Sequence, residues 1–136
     1  RFRGRFMIES QGKNRPISPH LTIYKPQYTS VLSILHRITG LALIASLFVV
    51  IFWFLSIAFG EKYYVWYLWF ISSFPIQTIL ILSIWAIWYH TCNGVRHLLW
   101  DIGLGLEIRW IRPSSIAVLV LSTILSACTI LVGWLA

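Results

Sequence analysis

From Ile38 to Phe59 the chain carries no charged side chain. At a rise of about 1.5 Å per residue, that run is long enough to cross a hydrocarbon core about 30 Å thick. Inside lipid every backbone N–H and C=O must find its partner within the segment, so the run must be helical. Two more apolar regions follow. The one from Tyr63 to Trp100 is too long for a single perpendicular crossing. It opens with Tyr63, Tyr64, Trp66, Tyr67, Trp69 and Phe70, which read as an interfacial aromatic belt. Pro75 suits the first turn of a helix better than its interior, so the second span is expected at Pro75–Leu99. The third span is expected at Ile116–Leu135, entered through Arg112-Pro113-Ser114-Ser115. Only 11% of residues are charged, against about 25% in soluble domains. The expectation is an all-α integral membrane protein with three spans.

The net charge is +7, but its placement argues against nucleic acid. Arg1, Arg3, Arg5, Lys13, Arg15, Lys25 and Arg37 precede or open the first span, and Arg96, Arg109 and Arg112 lie between the second and third. With three spans both groups fall on one face, the matrix or cytoplasmic side by the positive-inside bias. Glu61-Lys62 and the C-terminus fall on the other. Residues 1–30 are therefore read as an inner-side N-terminal segment and 31–136 as the membrane domain. Pro16, Pro19 and Pro26 make Lys13–Ser30 extended or turn-rich. The basic, Met-less start fits the remnant of a cleaved transit sequence. Cys92 and Cys128 are too few and too distant for a disulfide framework or zinc site and read as buried packing residues. Ser122, Ser126, Thr129 and Gly133 allow close helix packing in the third span.

Polar groups inside such spans are costly and mark function. At 100° per residue, His90, Gly94, His97 and Asp101 share a stripe about 60° wide, and Arg96 points away from it toward the interface. His90 lies deepest, and Gly94 one turn below opens room for a flat ligand or another helix. A buried imidazole needs partners for its nitrogens: a helix–helix hydrogen bond is one solution, a haem iron the other. His97 can pair with Asp101 one turn on. At the start of the first span Ser30, Ser33, His36, Arg37 and Gly40 form a second polar sector, on the same side of the membrane. Arg37 and His36 could meet haem propionates, and Ser33 with Arg37 suits the carbonyl oxygens of a quinone.

Three stretches carry a family resemblance: Arg15-Pro16-Ile17-Ser18-Pro19-His20-Leu21, Ser33-Ile34-Leu35-His36-Arg37-Ile38-Thr39-Gly40, and His90-x-x-x-Gly94-Val95-Arg96-His97-Leu98-x-x-Asp101-x-Gly103. In this order, with three spans, the chain resembles the large cytochrome b subunit of succinate dehydrogenase over about residues 14–136. The resemblance implies a small partner membrane subunit, also with three spans, which makes the anchor a heterodimer with one haem b shared between the two chains. His90 would be this chain's axial ligand, with His36, Arg37, Gly94 and His97 near the haem. Ser33, Ile34 and Arg37 would contribute to a ubiquinone site completed by the small anchor and the iron–sulfur subunit. Succinate oxidation would belong to the flavoprotein subunit, leaving no catalytic residue in this chain. The implied location is the mitochondrial inner membrane with the N-terminus on the matrix side, or alternatively a bacterial inner membrane. Two competitors are a haemless structural anchor and a small transporter; the latter would need a polar path through both leaflets, and the outer halves of spans one and three are nearly apolar.

Overall fold

The computed structural model describes residues 25–135. The basic N-terminus, the Arg15–Leu21 motif and most of the expected extended segment lie outside the described residues. The first helix, α1, runs Tyr28–Phe59, so the chain is already helical inside the stretch expected to be extended. Its length, about 48 Å at 1.5 Å per residue, exceeds the hydrocarbon core by several turns. The surplus lies at the N-terminal end, where Ser33, His36 and Arg37 sit. Gly60 ends α1 at φ +101°, a conformation that an L side chain resists. The aromatic belt is a second helix, α2 (Glu61–Ile71), with Tyr63, Trp66, Trp69 and Phe70 exposed.

Helix α3 runs Phe74–Asp101, with Pro75 in its first turn as expected. It closes in a Schellman motif: Gly103 N–H donates to the Trp100 carbonyl at 2.9 Å and Leu104 N–H to that of Leu99 at 2.8 Å. Gly103 supplies the left-handed residue, at φ +81°. Helix α4 (Ile108–Leu135) starts two turns before the expected span and contains Pro113. A proline there removes one bond to the carbonyl four residues back, that of Arg109. Arg109 is exposed, where water can replace the missing partner, so the helix tolerates it.

Three helices, α1, α3 and α4, are long and apolar enough to cross a membrane. Helix α3 packs against both α1 and α4, which touch each other less. A small apolar core joins Leu32, Tyr89 and Val118, with Leu35, Trp85 and Cys92 against it. Most other large apolar residues face outward, as they must where lipid is the solvent. The interior is instead rich in small polar residues: Ser115, Ser122 and Ser126 are buried, and each hydroxyl bonds a carbonyl of its own helix. Satisfied in this way, they let neighbouring backbones approach. Ser46 and Ser83 join α1 to α3 at 2.6 Å. Trp85 and Trp88 donate to Thr123 and Thr129 of α4. Within this chain Cys128 is exposed, and among the described residues nothing packs within 4 Å of where a side chain on Gly133 would begin.

Candidate functional site

The start of α1 and the end of α3 bring three imidazoles together. His36 stacks on His90 with ring centroids 3.8 Å apart and planes 10° from parallel. His97 stacks on the other side of His36 at 5.5 Å. The rings lie face to face, and among the described residues no three ligating side chains converge on one point to hold a bare metal ion. Helical periodicity explains the grouping: His90 and His97 are two turns apart on one stripe of α3, and His36 faces them from α1.

His90 is half-buried. Its Nδ1 lies 3.2 Å from the His36 carbonyl oxygen and 3.4 Å from Thr39 Oγ1. A carbonyl only accepts, so Nδ1 carries the proton and the lone pair is on Nε2. The ring rests over Gly40, where a Cβ would come within 3.1 Å of His90 Cε1. Gly40 thus permits close approach of the His90 ring to α1, while among the described residues nothing lies within 4 Å of a Cβ at Gly94. His97 Nδ1 donates to the Asn93 carbonyl at 2.8 Å. The expected His97–Asp101 pair does not form; Asp101 is exposed at the last helical position, and the ion pair found among the described residues joins Arg109 to Glu107. His36 Nδ1 is buried without a hydrogen-bond partner among the described residues.

The expected quinone residues lie beside this stack on the adjoining sector of α1. Ser33 is half-buried, Arg37 is exposed, and Ile34 is 58% exposed. The described residues alone do not enclose them. They form one outward-facing wall, one helical turn long.

Arg96 corrects the sequence reading. It does point away from the histidine stripe, but inward rather than to the interface, and is only 5% exposed. Its Nε donates to Ser114 Oγ and its Nη2 to Ser115 Oγ, both at 3.1 Å. The guanidinium lies 4.0 Å over the Trp100 ring and reaches Asn93 Oδ1 at 3.5 Å. Asn93 itself is fully buried, with Nδ2 unpaired among the described residues. Tyr89, one turn deeper, donates its hydroxyl to the Leu32 carbonyl at 2.9 Å. Sequence reasoning also passed over Thr39. The signal was present, because His36, Thr39 and Gly40 stand at i, i+3 and i+4 and so share one face of α1.

Comparison with known proteins agrees with this architecture. Residues 11–129 match the family model described as succinate dehydrogenase/fumarate reductase transmembrane subunit. The succinate dehydrogenase cytochrome b556 subunit of Rickettsia bellii (strain RML369-C) is 44% identical over 112 residues, covering 81% of this chain and 86% of that protein. The cytochrome b556 subunit of Paracoccus denitrificans is 38% identical over 126 residues, covering 93% and 97%. The mitochondrial cytochrome b560 subunit of Mus musculus is 39% identical over 127 residues, covering 90% and 73%.

Proposed function

This chain belongs to the succinate dehydrogenase/fumarate reductase transmembrane subunit family, and from that premise we propose that it is the haem-bearing membrane anchor of a succinate:ubiquinone oxidoreductase. His90 is the residue of this chain that would hold a haem b, which would be shared with a small anchor subunit. The observation that carries the reading is the orientation of His90. Its Nδ1–H is turned into the backbone of α1, which leaves the Nε2 lone pair free for iron, the arrangement metal-bound histidines favour. Gly40 provides the floor under the ring, and His36 holds its plane by stacking. The buried, unpaired His36 Nδ1 is a donor or acceptor in want of a polar partner, and a propionate would satisfy it with Arg37 nearby; Gly94 and His97 lie on the same inner side. Bound there, haem b supplies one-electron redox chemistry.

Ubiquinone is the substrate at the neighbouring wall. Ser33 offers a hydroxyl to one carbonyl oxygen, Arg37 offers a fixed positive charge, and Ile34 gives an apolar surface for the ring. Two electrons from the iron–sulfur subunit and two protons convert ubiquinone to ubiquinol. Negative charge gathers on the quinone oxygens during that change, and Arg37 stabilises it. The open side of the wall is closed by the iron–sulfur subunit and the small anchor. Succinate is oxidised in the flavoprotein subunit, so this chain has no succinate chemistry of its own. The complex sits in the mitochondrial inner membrane, with the start of α1 on the matrix side, or in the corresponding bacterial membrane.

Replacing Arg37 by Ala should cut ubiquinone reduction by the purified complex at least tenfold. Succinate oxidation with an artificial acceptor should stay near normal. Equal losses in both assays would mean failed assembly and would remove Arg37 from the quinone site. A second reading, a haemless anchor, draws on the same His90–His36 bond as a purely structural link between helices. An active complex without Soret absorbance would select it.

A further inference from the structure

The residue that follows the Ser33–His36–Arg37 sector, Thr39, has no part in the function described so far, yet it is 4% exposed and lies against the histidine stack. Its Oγ1 sits 2.9 Å from the carbonyl oxygens of both Leu35 and His36 and 3.4 Å from His90 Nδ1. A hydroxyl has one proton and two lone pairs. The proton goes to a carbonyl of α1, so an oxygen lone pair remains for the imidazole N–H. The same N–H also reaches the His36 carbonyl at 3.2 Å. Thr39 therefore touches both ends of that bond: it shares the Nδ1 proton and it braces the carbonyl that takes the larger part.

We propose that Thr39 is a positioning residue for His90, fixing its ring orientation and raising the electron-donating power of Nε2 toward the haem iron. The proposal rests on the haem reading above. An acceptor on Nδ1–H makes the imidazole more basic and favours the ferric state. Taking the acceptor away weakens the iron–nitrogen bond and favours the ferrous state. Gly40 is part of the same seat, because the ring can descend to Thr39 only where α1 has no Cβ. The role of the stretch His36-x-x-Thr39-Gly40 is thus a carbonyl, a hydroxyl and a missing side chain, presented together on one helix face.

The test uses the complete membrane complex carrying Thr39→Val, which keeps the shape and removes the hydroxyl, and Thr39→Ser, which keeps the hydroxyl. In Thr39→Val the haem midpoint potential should rise, the ferric low-spin resonance signal should move, and haem should be lost from detergent-solubilised complex about tenfold faster, in the range typical of partners behind a metal ligand. Thr39→Ser should return all three to wild-type values. If the Val variant does not assemble, Thr39→Ala is measured in its place and read the same way. A wild-type potential and resonance in a hydroxyl-free variant would overturn the proposal. Equal shifts in the Ser and Val variants would also overturn it, by assigning the effect to methyl packing. A wild-type complex with no b-type spectrum overturns the haem reading and this proposal together, whereas a normal wild-type spectrum with an unaltered Val variant overturns this one alone.

Discussion

The two ends of the bundle are built on different rules. At the end where α1 begins and α3 closes, helices are tied by named polar contacts: Tyr89 to the Leu32 carbonyl, His90 to that of His36, and Arg96 to Ser114 and Ser115. At the opposite end, Phe52, Leu55, Phe59, Tyr63, Trp66 and Phe70 line an open apolar groove of about 470 Å³, and all six are exposed. Lipid tails are as apolar as these side chains, so burying them against one another gains little. The polar end must be geometrically specific, because an unpaired buried group there is costly. The contrast separates a positioned polar site from an exposed apolar surface.

The largest expected effect on stability is at Arg96. Arg96→Ala removes two charge-assisted bonds and the stacking on Trp100, and it leaves a space between α3 and α4. The loss should be about 3 kcal/mol, visible as a lower unfolding midpoint of the detergent-solubilised complex. A change indistinguishable from wild type would mean that the guanidinium does not tie α3 to α4. The smallest effect should come from the apolar end. Trp69 is 73% exposed, and Trp69→Ala should change stability by less than about 0.5 kcal/mol, as surface substitutions usually do. Parity between the two variants would erase the distinction between the ends.

Much of this contrast could be read in the residues. Apolar runs marked the three spans, helical spacing put His90 and His97 on one stripe, and the order of the spans put His36 and Arg37 at the same end of the bundle. What escaped depends on which helix occupies which side. Spacing correctly turned Arg96 away from the histidines, but only the position of α4 makes that direction an interior one. Likewise His97 had two acceptors within a turn, the Asn93 carbonyl and the Asp101 carboxylate, and the water-facing end of α3 left Asp101 exposed. Gly40 is one glycine among several in the sequence, and only the structure shows that the ring of His90 rests on it. The early start of α4 escaped because Arg112-Pro113-Ser114-Ser115 reads as the entry to the span, although a helix can absorb the proline where the released carbonyl meets water.

The central claim is that His90 presents Nε2 to a haem iron. The direct measurement is the dithionite-reduced absorbance spectrum of the purified complex carrying His90→Leu, with assembly verified by succinate oxidation to an artificial acceptor. The b-type bands of the wild-type complex should be absent or clearly shifted in the variant, with succinate oxidation retained. An assembled variant with the wild-type spectrum would contradict the claim.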